Sequence, residues 1–350
     1  MNETYSIRVD PGGTNLRVAA YEGGREFLET IVLPTRLDLG RGQVVRHMYD
    51  AVKALKALDF GYRRLAGIAV GSPGLLELQA GIMRNLPNFP GGDGFDLKSA
   101  IATALGCDIA LENDVNLAAF AERRLGIRGK YGVDDLCVIG LGTGVGSGLV
   151  LNGKIWDGAN GMAGGAGHMV IQAEERSRCG CGGCGCLEQY ASATTVIKTA
   201  RESLDDAVST AHELALLAQS DSELARNIFV TTGRALGIAL TGLVNTLNLP
   251  LYLLGGGVRE DWDLLSCPMF QELEPRSYVY LASPFAVFAA RRNDGAAVRR
   301  APLFSRGEAS LSRTVAAHIE NRVTGTTKNA HPVNLQIPTM RRDYVTNCWD

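Results

Sequence analysis

Residues 167–190 read GHMVIQAEERSRCGCGGCGCLEQY, and this stretch decides how the rest of the chain is understood. Cys179, Cys181, Cys184 and Cys186 fall within eight residues, with His168 eleven positions before the first of them. Zinc takes four soft or borderline ligands in a tetrahedron, and thiolates with one imidazole supply them. The glycines between the cysteines let the backbone turn tightly enough to aim several sulfurs at one point. Five candidate ligands compete for four places, and Cys184 is the expected spare. A closed set of four leaves no position for water, so such a metal holds structure and activates no nucleophile. The competing reading, redox-active or coincidentally close thiols, is disfavoured by so dense a cluster.

The remaining cysteines, Cys107, Cys137, Cys267 and Cys348, are scattered. A secreted scaffold would spread its bridges along the chain. A local cluster reads as metal binding in a reducing, cytoplasmic compartment. At 350 residues, 46% hydrophobic and 21% charged, the chain predicts a folded protein of two α/β domains. A net charge of −2 gives no basic surplus that would advertise nucleic acid or a membrane surface. The start is polar and runs into a strand, so no signal peptide is expected. The most apolar stretch, Ile238 to Leu254, is interrupted by Thr241, Asn245, Asn248 and Pro250, which argues against a clean span.

Outward from the cysteines, glycine-rich turns punctuate apolar runs. Ser6–Asp10 predicts a strand, then the turn Pro11-Gly12-Gly13-Thr14, a return strand, and a hairpin at Gly23-Gly24. Gln43–Leu58 has a helical period, and Leu65–Val70 predicts a buried strand. Asp96 should cap a helix to Leu105, followed by a strand Asp108–Glu112 and a helix from about Asn113. Leu136–Gly140, Gly142-Thr143-Gly144 and Gly148–Leu151 then repeat the opening: strand, glycine turn with a threonine, strand. The echo suggests two related halves. Glu188–Leu204 and Ser222–Leu247 predict long helices, and Leu251–Leu254 a strand ending in Gly255-Gly256-Gly257.

Gly167-His168-Met169 followed by Cys179-Gly-Cys181-Gly-x-x-Gly-Cys186-Leu187-Glu188-x-Tyr190 resembles the zinc signature of ROK-family sugar kinases and regulators, particularly bacterial glucokinases. The likeness extends over most of residues 5 to 300. It includes Asp10-x-Gly12-Gly13-Thr14, Gly71-Ser72-Pro73-Gly74, Asn85-x-Pro87-Asn88, Glu112-Asn113-Asp114-Val115-Asn116 and Gly142-Thr143-Gly144-x-Gly146. The resemblance implies an actin-like ATPase fold, two ribonuclease-H-like α/β domains closing over sugar and nucleotide, with a structural zinc on His168, Cys179, Cys181 and Cys186. The expected division is 1–115, completed by a helix near 308–322, and 116–304 with the zinc segment 168–186. Residues 323–350 form a tail without assigned role.

Phosphoryl transfer to a sugar hydroxyl needs a base, neutralised phosphate charge and alignment. Asp114 stands where a strand ends and a helix begins, which suits either a helix cap or a base in a cleft; the resemblance implies the base. It likewise implies sugar contacts from Asn113, Asn88 or Asn85, His168 and Glu188. His168 can serve both zinc and sugar, because the metal uses only one ring nitrogen. Gly12-Gly13-Thr14 and Gly142-Thr143-Gly144 offer backbone N–H groups as phosphate cradles, though neither is a Walker motif. Asp10 would hold Mg2+ through water. Gly256 and Gly257 would pack against adenosine, or simply turn a strand into a helix.

Two departures stand out. The family usually reads Ala-Gly-Glu-x-Gly-His, its glutamate contacting sugar, whereas this chain has Gly165 at that place. Pro11 replaces an aliphatic residue and removes an N–H beside the first turn. Arg291–Asp294 matches the family's nucleotide-side loop only loosely. The expectation is an ATP-dependent hexokinase, foremost a glucokinase making glucose 6-phosphate. An N-acylhexosamine or other hexose kinase and a weakened sugar-binding sensor are the alternatives. Sugar and nucleotide are the expected partners, in a homodimer or homotetramer. A DNA-binding regulator is disfavoured, since the first strand begins about five residues in and no helix-turn-helix fits before it.

Overall fold

The computed structural model describes residues 4–22, 26–61, 63–84, 93–123, 133–174, 177–204, 208–257, 261–280, 282–283 and 285–289. The turn at Gly23-Gly24, both Asn85 and Asn88, Arg291–Asp294, the helix expected near 308–322 and the tail 323–350 lie outside them.

β1 (Thr4–Pro11) alternates, with Tyr5, Ile7, Val9 and Pro11 turned inward and Arg8 and Asp10 outward. It pairs antiparallel with β2 (Asn15–Glu22), which pairs antiparallel with β3 (Glu26–Pro34). On its other side β1 runs parallel to β4 (Arg64–Ser72). β5 (Leu75–Glu77) and β6 (Ile82–Arg84) make a small hairpin, and β7 (Ile109–Asn113) completes the sheet beside β4. The order is β3-β2-β1-β4-β7. The amphipathic helix α1 (Arg41–Lys56) covers this sheet with Val44, Met48, Val52 and Leu55, a helical stripe. α2 (Leu97–Leu105) starts on Asp96, whose side chain accepts from Ser99 N at 2.9 Å.

The second sheet follows α3 (Asp114–Ala121). β8 (Leu136–Leu141) and β9 (Val145–Leu151) form a hairpin, β10 (Lys154–Ile155) adds to β9, and β11 (Leu251–Gly256) and β12 (Ala286–Ala289) run parallel beyond β8. Its order, β10-β9-β8-β11-β12, matches the first sheet strand for strand in position and direction. The echo between two glycine hairpins therefore marks a repeat of a whole five-stranded sheet.

The span Glu188–Leu204 is two helices. Glu188–Ala191 ends at Ser192, whose extended backbone (ψ 149°) and side chain, accepting from Thr195 N at 3.1 Å, start Ala193–Ser203 afresh. Two helices escape the sequence reading. Ala211–Gln219 opens on a capping box between Thr210 and Glu213, and Trp262–Arg276 contains Pro268 and Pro275, which ordinarily argue against a helix. Trp262–Arg276 packs closely on Glu223–Leu247: a side chain at Gly233 would lie 2.6 Å from the Leu265 carbonyl. By length and composition Glu223–Leu247 could cross a membrane; here it is a core helix, burying Phe229, Leu236, Leu240 and Val244. Cys267 on the neighbouring helix is disulfide-bonded, which departs from the expectation of an all-thiol chain.

Candidate active site

α3 begins where the two sheets meet. Asn113 is its cap: Oδ1 accepts from Val115 N at 2.9 Å and Asn116 N at 3.1 Å, while Nδ2 donates to the Gly74 carbonyl at 3.1 Å. The capping role open to Asp114 thus falls to its neighbour, although Asp114 Oδ1 also accepts from Val115 N at 2.9 Å. On the other side the first turn of α3 lies against β9 so closely that a side chain at Gly148 would strike the Val115 carbonyl. Asp114 is held from both sheets.

Burial pushes the Asp114 carboxyl up to about 7, with the negative charge of Asp10 adding to the shift. Asp10, at the end of β1, is itself raised by burial while Arg17 pulls it back. Its side chain is solvent-exposed, yet it lies among enough neighbouring atoms to lose hydration. Two carboxylates near enough to feel each other's charge, one poised near neutrality, suit a general base beside a cation-binding acid.

The two glycine turns converge on the same place. A side chain at Gly13 would sit 2.6 Å from Thr143 Oγ1, so only a glycine lets the turns approach this closely. Their carbonyls are tied back into the protein. Gly12 O accepts from Thr35 Oγ1 at 2.6 Å and Thr14 O from Thr35 N at 2.9 Å. Gly142 O accepts from Ala193 N at 2.8 Å and Thr143 O from Thr194 Oγ1 at 2.7 Å. The acceptors are turned away, which suits an anion in the cleft. Thr35, fully buried, had no signal in the sequence. Gly256 has a packing reason of its own, because with φ +91° a side chain there would strike the Leu141 carbonyl; Gly257 beside it is open.

His168, Cys179, Cys181 and Cys186 gather with their ligand atoms within 4.8 Å of one another, and Cys184 is not in the group. Cys181 Sγ and Cys186 Sγ lie 3.7 Å apart, and Cys179 Sγ lies 3.6 Å from His168 Nδ1. Tetrahedral zinc with Zn–S of about 2.3 Å separates its sulfurs by about 3.8 Å, so the donors fit that ion in kind and spacing. Gln189 Nε2 donates to Cys179 Sγ at 3.6 Å and Gly183 N to Cys181 Sγ at 3.5 Å, bonds that favour thiolates. Burial pushes the Cys186 thiol up to about 12, and the neighbouring Cys181 and Cys179 sulfurs add to the shift. Glu188 is buried, one oxygen accepting from Val145 N at 2.9 Å and the other 4.0 Å from Cys179 Sγ. It joins the cysteine loop to the start of β9. Gly165 is exposed with φ −77°, and a side chain there would meet nothing within 4 Å.

Two sheets of one topology that meet at α3, with an acid pair and two facing glycine turns, are an arrangement that suits phosphoryl transfer. The profile of the ROK family matches residues 6–306, and the chain belongs to the ROK family. The glucokinase of Halalkalibacterium halodurans is 32% identical over 288 residues, covering 78% of this chain and 86% of that protein. The xylose repressor of Caldicellulosiruptor bescii is 25% identical over 250 residues, covering 68% of this chain and 62% of its own length. Among solved structures, a ROK family glucokinase from Streptomyces griseus in complex with glucose and AMPPNP superposes with a TM-score of 0.70 at 24% identity, covering 82% of this chain and 94% of that one.

Proposed function

We propose that the chain is an ATP-dependent hexose kinase, with glucose as first substrate and glucose 6-phosphate as product. The observation that carries this reading is Asp114, raised to about 7 beside Asp10 at the junction of both sheets. In the proposed step the Asp114 carboxylate takes the proton of the sugar hydroxyl as its oxygen bonds to the γ-phosphorus. The bond to the β-phosphate oxygen breaks, and ADP leaves. Gly12, Gly13, Thr14, Thr143 and Gly144 hold the phosphates through their N–H edges, Gly142 closes the second turn by donating its N–H to the Gly144 carbonyl at 3.0 Å, and Gly256 and Gly257 border the adenosine. Asp10 would hold Mg2+, which neutralises phosphate charge when bound. Asn113, Asn88, His168 and Glu188 orient the sugar, with His168 Nδ1 on the metal side and Nε2 left for a hydroxyl.

Zinc on His168, Cys179, Cys181 and Cys186 would do no chemistry and would fix the loop that presents His168 and Glu188. The proposed division of the chain remains 1–115, completed by a helix near 308–322, and 116–304. The cytoplasm is the proposed place of action, and a homodimer or homotetramer the proposed assembly.

Gly165 favours a second reading in sugar choice: an N-acylhexosamine or other hexose kinase, or a sugar sensor with weak turnover. The space at Gly165 admits a bulkier sugar substituent where a glutamate would stand. A coupled assay with ATP and Mg2+ across glucose, mannose, fructose and N-acetylhexosamines tests the proposal. Sugar-dependent ADP release supports it, and the preferred sugar chooses between the kinase readings. Sugar binding without turnover on any of them overturns the kinase in favour of the sensor.

A further inference from the structure

Asn116 sits in the first turn of α3, two residues beyond Asp114, and is 1% exposed. Its amide nitrogen donates to Glu112 Oε1 and to Asp157 Oδ1, both at 3.1 Å. Its carbonyl oxygen is buried with no hydrogen-bond partner among the described residues. That oxygen faces the segment leading to His168: a side chain at Gly164 would meet it at 3.8 Å. Gly164 is itself fixed on β9, its carbonyl accepting from Ser147 N at 2.8 Å and Ser147 Oγ at 2.9 Å. The loop that starts at Asp157 closes on the same place, because Ala163 N donates to the Asp157 carbonyl at 2.9 Å. Asp157, Asn116 and Gly164-Gly165 therefore adjoin one another beside the helix start that carries Asp114.

The two carboxylates around Asn116 are employed differently. Glu112 Oε1 takes both the Asn113 N–H, at 2.8 Å, and the Asn116 amide. Asp157 spends one oxygen on Asn116 and keeps Oδ2 without a partner among the described residues. Burial raises both carboxyls, so each is short of the donors that water would give. An orphaned buried acceptor next to a half-used carboxylate calls for hydroxyl donors, and Gly165 leaves the approach open.

We propose that Asp157 is a sugar-specificity residue, its free carboxylate oxygen accepting a hydroxyl of the sugar whose reacting oxygen faces Asp114, with Asn116 positioning it. The proposal rests on the hexose-kinase reading. It makes Asp157 a carboxylate contact in the place where Gly165 supplies none. A hydrogen bond to a charged group contributes roughly 1.5–3 kcal/mol, about ten- to hundredfold in affinity.

The test is Asp157→Asn, which still accepts from Asn116 and so spares a merely structural role. Its KM for the preferred sugar should rise about tenfold, with kcat, the KM for ATP and the melting temperature nearly unchanged. Asp157→Ala should raise the same KM and also lower the melting temperature. An unchanged sugar KM in Asp157→Asn, or a loss confined to kcat, overturns the role. Should the wild type turn over no sugar, the kinase reading fails by itself, and calorimetric binding of the same sugars decides the role of Asp157. Weaker binding by Asp157→Asn then supports it; equal binding, or none by the wild type, overturns it.

Discussion

The two sheets share one strand order yet divide the work unequally. In the first, β1 buries alternate residues and leaves Arg8 and Asp10 outward, as a strand with one open face does. In the second, Leu136–Ile139 and Leu251–Leu254 are buried without alternation, as central strands covered on both faces are. The consequence is chemical. Where β1 ends in Asp10 and Pro11, its counterpart β8 ends in Gly140 and Leu141, and where β7 delivers Asp114, β12 ends in Ala289. Both acids come from the first half, whereas the second half brings a glycine turn and the cysteine loop. A repeated topology places the groups, and the burial pattern decides which half carries charge.

The largest expected effect breaks the second half alone. Cys181→Ser should lose the metal and lower the melting temperature by roughly 10 °C, because a structural site couples its binding energy to folding. Cys184→Ser should keep one zinc per chain by elemental analysis, since its sulfur is outside the group. Metal loss from both variants alike would sink the assignment of the four ligands.

Next comes the acid pair of the first half. Asp114 must be ionised to accept a proton, so kcat/KM should fall about tenfold per pH unit below about 7. The sign for stability is opposite. Its folded-state value lies above the ordinary 3.8, so ionisation opposes folding, and stability is lost as pH rises through about 7. A rate that stays flat down to pH 5 would remove Asp114 from the base's role. The smallest expected effect sharpens the asymmetry within the cysteine segment. Gly165→Glu meets open space with an ordinary backbone, and its added carboxylate should lower the sugar KM about tenfold. An unchanged or higher KM would count against an empty place in the sugar site.

Much of this was legible in the sequence, for physical reasons that differ between elements. The cysteine loop announces itself because four thiols in eight residues have few other uses. α2 was readable from Asp96 because a cap acts within its own turn. The break at Ser192 has no local signature, because serine in a helical period acts as a cap only where the chain bends. Trp262–Arg276 was hidden by its prolines, which are tolerated because the helix is held by packing against Gly233 and Gly237. At the start of α3 the sequence offers Asp114 as a cap, and only the fold shows Asn113 accepting from both Val115 N and Asn116 N. Thr35 and Asp157 act through contacts 23 and 41 residues away in sequence, and no local pattern encodes those.

The central claim, that Asp114 accepts the proton in sugar phosphorylation, is tested most directly by one comparison. ADP release with ATP, Mg2+ and the preferred sugar is measured for the wild type and for Asp114→Asn, each shown to be folded by circular dichroism. The account predicts sugar-dependent turnover in the wild type and a loss of about a thousandfold in the variant. Equal rates in the two proteins would contradict it.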